Sequence, residues 1–173
     1  MKTAYQITFG RQLKMLRHCI VTNCLIFGLL FFILRNATNS SALTKTFFVM
    51  IGVQLLTSII PTLCVHLQYL LKNRNACLVI DKLNRELNYL TRADNRQKTN
   101  YLFENIVSLE YCCSFGLASS GWYSFAGYDY CKIKFKDNSV ITVTCLLMED
   151  VKENLESLFR IEAETKKKII AFI

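Results

Sequence analysis

Two histidines, His18 and His66, and eight cysteines are the side chains in this chain best suited to nucleophilic, acid–base or metal chemistry. Their spacing organises none of it. Neither histidine has a carboxylate near it in sequence, and no Gly-rich phosphate loop, G-x-S-x-G or paired metal-ligand motif is present. His18 adjoins Cys19, but neighbouring residues on a helix point about 100° apart. There is no C-x-x-C, and the adjacent pair Cys112 and Cys113 would face opposite sides of a strand. Cys19, Cys24 and Cys64 lie in apolar runs, and Cys77, Cys131 and Cys145 lie among Val, Ile and Phe. Such thiols act as small buried hydrophobes in a reducing compartment. The expectation is a protein that is not an enzyme, with no catalytic residue, metal site or cofactor.

The elements that would hold these residues fall into two kinds. All 13 acidic residues lie at or after Asp81, whereas eight of the 21 Lys and Arg precede it. The basic excess therefore belongs to the first 80 residues, which also contain apolar runs at residues 19–34 and 47–71. Confined to the flanks of such runs, this charge argues for a lipid bilayer and against nucleic acid as partner. As a helix the second run would extend about 37 Å, enough to cross a hydrocarbon core of about 30 Å. Leu13, Met15 and Leu16 lengthen the first, while Lys14 and Arg17 can reach the headgroups. Residues 1–75 are thus expected to form a transmembrane hairpin with helices over about 13–34 and 47–71.

Lys2, Arg11, Lys14 and Arg17 precede the first run, only Arg35 and Lys45 lie between the two, and Lys72, Arg74, Lys82 and Arg85 follow the second. This distribution places both termini in the cytoplasm. Ser40-Ser41-Ala42 resembles a signal-peptide cleavage site, but the long basic leader and the second apolar run weigh against cleavage. Sequons begin at Asn36 and Asn39, too near Leu34 for ready access. Within the second run Gln54 and Ser58 share one helix face and are candidates for helix–helix contact, in a homo-oligomer or otherwise. Pro61 should kink that helix.

From Ala76 the pattern changes to short strand-like segments, and residues 76–173 are expected to form a cytoplasmic domain. Cys131, Ile133 and Phe135 alternate with Lys132, Lys134 and Lys136, and Asp137-Asn138 turns the chain into residues 140–147. Ile141, Val143 and Cys145 form the matching inner set. Asp150 and Glu153 stand at capping-box spacing before Val151, Leu155, Leu158 and Phe159, the apolar face of one helix. The fold class expected is α+β: a transmembrane hairpin, then a small antiparallel β half-barrel capped by a C-terminal helix.

The segments LVIDKLNRELNYL, FENIVSLEY, IKFKDNSVITVTCLL and EDVKENLESLF resemble, over about residues 76–160, bacterial two-helix membrane proteins with a C-terminal pleckstrin-homology-like domain. The resemblance implies a seven-stranded bent sheet with a capping helix, facing the cytoplasm of a bacterial inner membrane. It also implies a non-enzymatic interaction module that binds a protein partner or membrane headgroups. The family's crowded basic loop is reduced here to Lys82 and Arg85 beside Asp81 and Glu86. Lys132, Lys134 and Lys136 are the candidates for contact with anionic lipid headgroups. Trp122, Tyr123, Phe125 and Tyr128 are candidates for docking a protein partner. The tail Lys166-Lys167-Lys168 either adds an edge strand or touches the bilayer. An alternative function is an oligomeric channel or transporter accessory subunit assembled through the helices.

The cation distribution makes a direct prediction. Reporter fusions should read external at Ala42 and cytoplasmic at Ile173. An external signal at Ile173 would overturn both the topology and the reducing-compartment account of the cysteines.

Overall fold

The computed structural model of the chain describes residues 2–36, 41–91, 98–114 and 125–173. A short strand, β1 (Lys2–Gln6), leads into the long helix α1 (Phe9–Asn36). The return helix comprises α2 (Ser41–Gln54), a π-helical turn (Leu55–Ile59) and α3 (Ile60–Asn73). Then follow β2 (Ala76–Asp81), β3 (Glu86–Thr91), β4 (Lys98–Leu102), a 3-10 turn (Phe103–Asn105) and β5 (Ile106–Ser114). The chain ends in β6 (Tyr130–Phe135), β7 (Val140–Thr144), α4 (Val151–Phe159) and β8 (Ala163–Lys168).

The strands form two four-stranded sheets, ordered β1-β2-β3-β4 and β7-β6-β5-β8. All pairings are antiparallel except β5 with β8, which run parallel. Seven strands in one bent sheet were expected from residue 76 onward. The described residues hold eight in two sheets, because both ends of the chain add an edge. Lys2–Gln6 pairs in register from Lys2 against Asp81 to Gln6 against Cys77, so the sheet begins before the helices. The two helices are therefore an insertion between adjacent strands, and the expected division at residue 75 does not separate helices from sheet. A fragment starting at Ala76 would lack β1 and also Val65 and Tyr69, both fully buried in the core. The lysine tail is resolved by the same pairing: it is an edge strand, tied from Ala163 against Leu109 to Lys168 against Ser114.

The alternation that predicts the β6–β7 hairpin holds residue by residue. Cys131, Ile133, Phe135, Ile141 and Val143 are buried, whereas Lys132 and Lys134 are part-exposed. Asp137 Oδ1 accepts hydrogen bonds from the backbone N–H and hydroxyl of Ser139, and Asn138 takes the left-handed conformation (φ 63°) that this turn requires. Helix α4 buries Val151, Leu155 and Phe159 as its spacing demands, with Leu158 half-buried. Its capping box does not form. Asp150 stands at the N-cap but with φ 45°, outside the extended region from which a cap side chain reaches the helix amides, and makes no cap bond. Asn154 closes the turn instead, donating from Nδ2 to the Glu149 carbonyl at 2.8 Å.

Two aromatic contacts join the layers. The Tyr101 ring on β4 stacks on Phe135 of β6 with centroids 3.9 Å apart, and Phe103 meets Phe159 of α4 edge-on at 4.8 Å. Pro61 brings the distortion expected of it. The helix widens into the π turn immediately before it, with the Ile60 N–H bonded to the Leu55 carbonyl. The hydroxyls of Thr57 and Thr62 donate to the carbonyls of Val53 and Ser58 at 2.8 and 2.7 Å.

The burial contrast on β6 predicts unequal mutational costs. Phe135→Ala should destabilise by about 3–5 kcal/mol, through lost burial and the cavity left beside Tyr101. Lys134→Ala should cost about 1 kcal/mol or less. Denaturant titration of the full chain in detergent measures both, and equal costs would mean a wrong register.

Candidate functional site

The sheets meet the helices through side chains that the sequence leaves scattered. Near the end of α3, Tyr69 packs edge-on against Tyr128 and Tyr130 at centroid distances of 5.5 and 6.0 Å. His66 shares a 2.8 Å hydrogen bond with the Tyr128 hydroxyl. At the start of α1 the Arg11 guanidinium donates to the carbonyls of Leu146 and Leu147, and Lys14 pairs with Glu149 at 3.1 Å. The last residues strap across α3: Tyr69 donates to the Ala171 carbonyl at 2.6 Å, and Gln68 exchanges two hydrogen bonds with Ile173. Both helices are thus fixed to the domain at one pole.

The second sheet presents one charged face. Lys132 and Lys134 project from β6, opposite Glu110 and Ser108 of β5, and β8 adds Glu164, Lys166 and Lys168 on the same side. Glu110 receives Lys134 at 3.0 Å and Lys166 at 3.1 Å. Those bonds, Lys134's foremost, hold its carboxyl down at about 2. Lys168 donates to the Tyr130 hydroxyl and to the Phe172 carbonyl, each at 2.9 Å, and both Lys132 and Lys168 lie over the Tyr130 ring. Four lysines against two glutamates leave the face positive. Tyr130 marks its end nearest α3.

The sequence-predicted sites separate accordingly. Lys132 and Lys134 share the face, but Lys136 sits exposed in the hairpin turn, its N–H bonded to the Asn105 carbonyl. Lys166 and Lys168 are the members that alternation could not supply, since no apolar partner residues alternate with them in sequence. Phe125 and Tyr128, expected at a docking surface, are buried in the core beside the helices, so they are corrected to packing residues. Trp122 and Tyr123 lie outside the described residues. Gln54 donates to Asn23 Oδ1 at 2.9 Å, and Asn23 in turn donates to the Cys19 carbonyl at 2.7 Å. Its polar group is thus used inside the hairpin, and Ser58 is buried.

Below the helix junction lies a half-open cleft of about 300 Å³ between Arg11, Lys14 and Met15 of α1 and Tyr111, Asp129, Cys145, Glu149, Asp150 and Glu153 of the domain. Asp129 accepts from the Tyr111 hydroxyl at 2.6 Å. Burial lifts its carboxyl to about 6, with Glu153 and Asp150 adding repulsion against the opposing Tyr111 bond. Among the described residues no group of three His, Cys, Asp or Glu is arranged to hold a metal.

A mixed α and β domain that presents a strand-borne basic face has the character of an interaction module. The chain matches the family of the PH domain over residues 4–153 and belongs to it. No curated protein and no solved structure matches it. The matched stretch includes most of β1 and the whole helical insertion, in keeping with strands on both sides of the hairpin.

Asp129 predicts a pH effect of definite sign. Its folded-state pKa lies above the unfolded value, so protonation favours the fold; that contribution is full below about 4 and is lost as pH rises through about 6. Asp129→Asn keeps an acceptor for Tyr111 and removes the titration. Relative to the parent, the variant should gain about 2–3 kcal/mol between pH 4 and pH 8. Thermal melts across that range measure it, and a constant offset would mean Asp129 does not titrate there.

Proposed function

We propose that the chain is a membrane-anchored, non-enzymatic interaction module whose lysine face binds anionic lipid headgroups. The observation that carries the anchoring is the exposed apolar surface of the hairpin. Phe9–Arg35 and Thr44–Asn73 are each long and apolar enough to cross a membrane, and only 17% of the most apolar window of each is buried. Leu25, Leu29, Phe31 and Phe32 on one helix, and Phe48, Val49, Val53 and Leu56 on the other, are more than half exposed. A contiguous surface of that kind is covered by lipid or by another protein. The insertion leaves β1 at Gln6 and returns at Cys77, its partner in the sheet, so both ends emerge on one side. Two crossings meet that requirement, and the flanking cations support a cytoplasmic domain, in a bacterium at the inner membrane.

Headgroup binding follows from position as well as charge. Lys168 and Lys132 gather at Tyr130, which packs on Tyr69 of α3, so they stand nearest the bilayer surface. Each surface cation there is worth about 1 kcal/mol toward an anionic leaflet. Lys134 lies farther along β6 and is half-neutralised by Glu110, and Lys136 lies beyond it. Because the domain is tethered, a weak intrinsic affinity suffices.

The full chain in nanodiscs tests this. Adding phosphatidylserine to phosphatidylcholine should slow hydrogen exchange in β6 and β8, and salt should reverse the effect. Lys132→Gln with Lys168→Gln should abolish the slowing, while Lys136→Gln should leave it intact. Exchange indifferent to phosphatidylserine would overturn the headgroup reading and leave a protein partner for this face.

A further inference from the structure

At the pole opposite the helices, three cations converge on a cavity that the lysine face does not include. The cavity, about 350 Å³, is lined by Lys82 and Arg85 of the β2–β3 turn, by Phe103, and by Ser157, Leu158, Phe159 and Arg160 at the end of α4. Its floor is apolar, because Phe103 and Phe159 are buried edge-on beneath it. Leu83, beside Lys82 in the same turn, is 81% exposed. The three cations are exposed, and none forms an ion pair or side-chain hydrogen bond among the described residues. The nearest carboxylates are occupied or outside the lining. Asp81 accepts from the amides of Leu83 and Asn84 and pairs with Lys2. Glu156 accepts from the Ala163 N–H and pairs with Lys152. Glu86 and Glu104 adjoin lining residues in sequence and are not part of the lining.

Arg85 and Arg160 both occupy the left-handed region, at φ 53° and 57°. Glycine fills such positions more cheaply, at a helix C-terminus above all. Strain of this sort at two arginines of one cavity fits a requirement for the side chains themselves.

Position restricts the ligand. Strand β2 leaves α3 at Ala76 and reaches the turn after six residues, a rise of about 20 Å. Helix α4 runs the same way, from Asp150 beside Glu149, which is paired to Lys14 of α1, to Arg160. If the hairpin is anchored as proposed above, headgroups of its own membrane cannot reach this cavity. The apolar floor and exposed Leu83 suit a ligand that joins carboxylates to an apolar side chain.

We propose that this far pole docks an acidic segment of a soluble protein, with an aromatic or aliphatic anchor over Phe103 and Phe159 and carboxylates on Lys82, Arg85 and Arg160. The cavity holds one or two side chains, so the site reads a short motif and not a broad surface.

A phage-displayed library of random short peptides, selected on the full chain in phosphatidylcholine nanodiscs, tests the proposal. Enriched peptides should combine Asp or Glu with an apolar anchor, and should weaken on the order of tenfold with Arg85→Gln plus Arg160→Gln. Ser157→Asp, on the exposed helix surface, should weaken them comparably without touching either strained position. Lys132→Gln with Lys168→Gln should leave them bound, which separates this site from the lysine face. Peptides without acidic bias, or binding unchanged in both far-pole variants, overturn the proposal. So does displacement of the selected peptides by inorganic phosphate or phosphatidylserine vesicles as readily as by free peptide, which would make the cavity a simple anion site. Alkaline extraction of the chain from cell membranes tests the anchoring separately.

Discussion

Asn73 is the residue on which the arrangement turns. It is the last residue of α3 and fully buried, a position where an amide costs several kcal/mol unless its bonds are made. They are made to two strands of different sheets. Nδ2 donates to the Thr142 carbonyl at 3.0 Å and to the Tyr89 hydroxyl at 3.2 Å, and Oδ1 accepts from the Thr144 hydroxyl at 2.7 Å. One side chain thus ties the helix end to β7 of one sheet and β3 of the other. Such a buried, satisfied network specifies a single geometry, because any slippage leaves several polar groups unpaired at once. One turn back, Tyr69 adds apolar contact with Tyr128 and Tyr130 and a hydrogen bond to the strap at Ala171.

The consequence is that the hairpin is not a flexible tether. Two chain connections, at β1 and at β2, would alone limit rotation; Asn73, His66 and Arg11 add side-chain fixation at both helix ends. What the domain presents to a surface is therefore decided by the fold and not by diffusion of a linked body. The same fixation holds the His66 ring, which is buried and hydrogen-bonded to the Tyr128 hydroxyl. The cysteines follow the expectation of packing residues in part: Cys19, Cys112, Cys131 and Cys145 are buried, and burial raises the thiol of Cys131 to about 12. A thiol so buried is a poor nucleophile.

How much of this the sequence revealed depends on whether a segment carries an apolar period. The hairpin β6–β7 and the face of α4 could be read because alternate or i, i+4 positions are buried against one core. Strand β1 could not: Lys2–Gln6 is half-exposed, and its pairing with β2 spans an insertion of about seventy residues. Strand β8 stayed open between an edge strand and a bilayer contact for the same reason, since AETKKK exposes four of its six side chains and gains its place from a parallel neighbour. The lysine face was half legible. Lys132 and Lys134 follow from alternation, but their association with Lys166, Lys168 and Glu110 exists only through strand order. Phe125 and Tyr128 were misplaced because aromatic density alone does not distinguish a docking surface from a core.

The two basic regions lie at opposite ends of the domain, and rigidity gives that separation its meaning. Around Tyr130 the cations stand beside the helix that the hairpin reading puts in the bilayer; around Phe103 and Phe159 they stand a strand's length away. Were the domain free to tumble, lipid would compete with any soluble anion for both regions, and charge alone would not distinguish them. With the hairpin anchored as proposed, the near region, held by Asn73 and Arg11, would work at the high effective concentration of a surface, while the far region would meet only what diffuses to it. On that proposal, surface charges of equal sign would serve different partners without differing in chemistry, because the fixed helices would assign each one its environment.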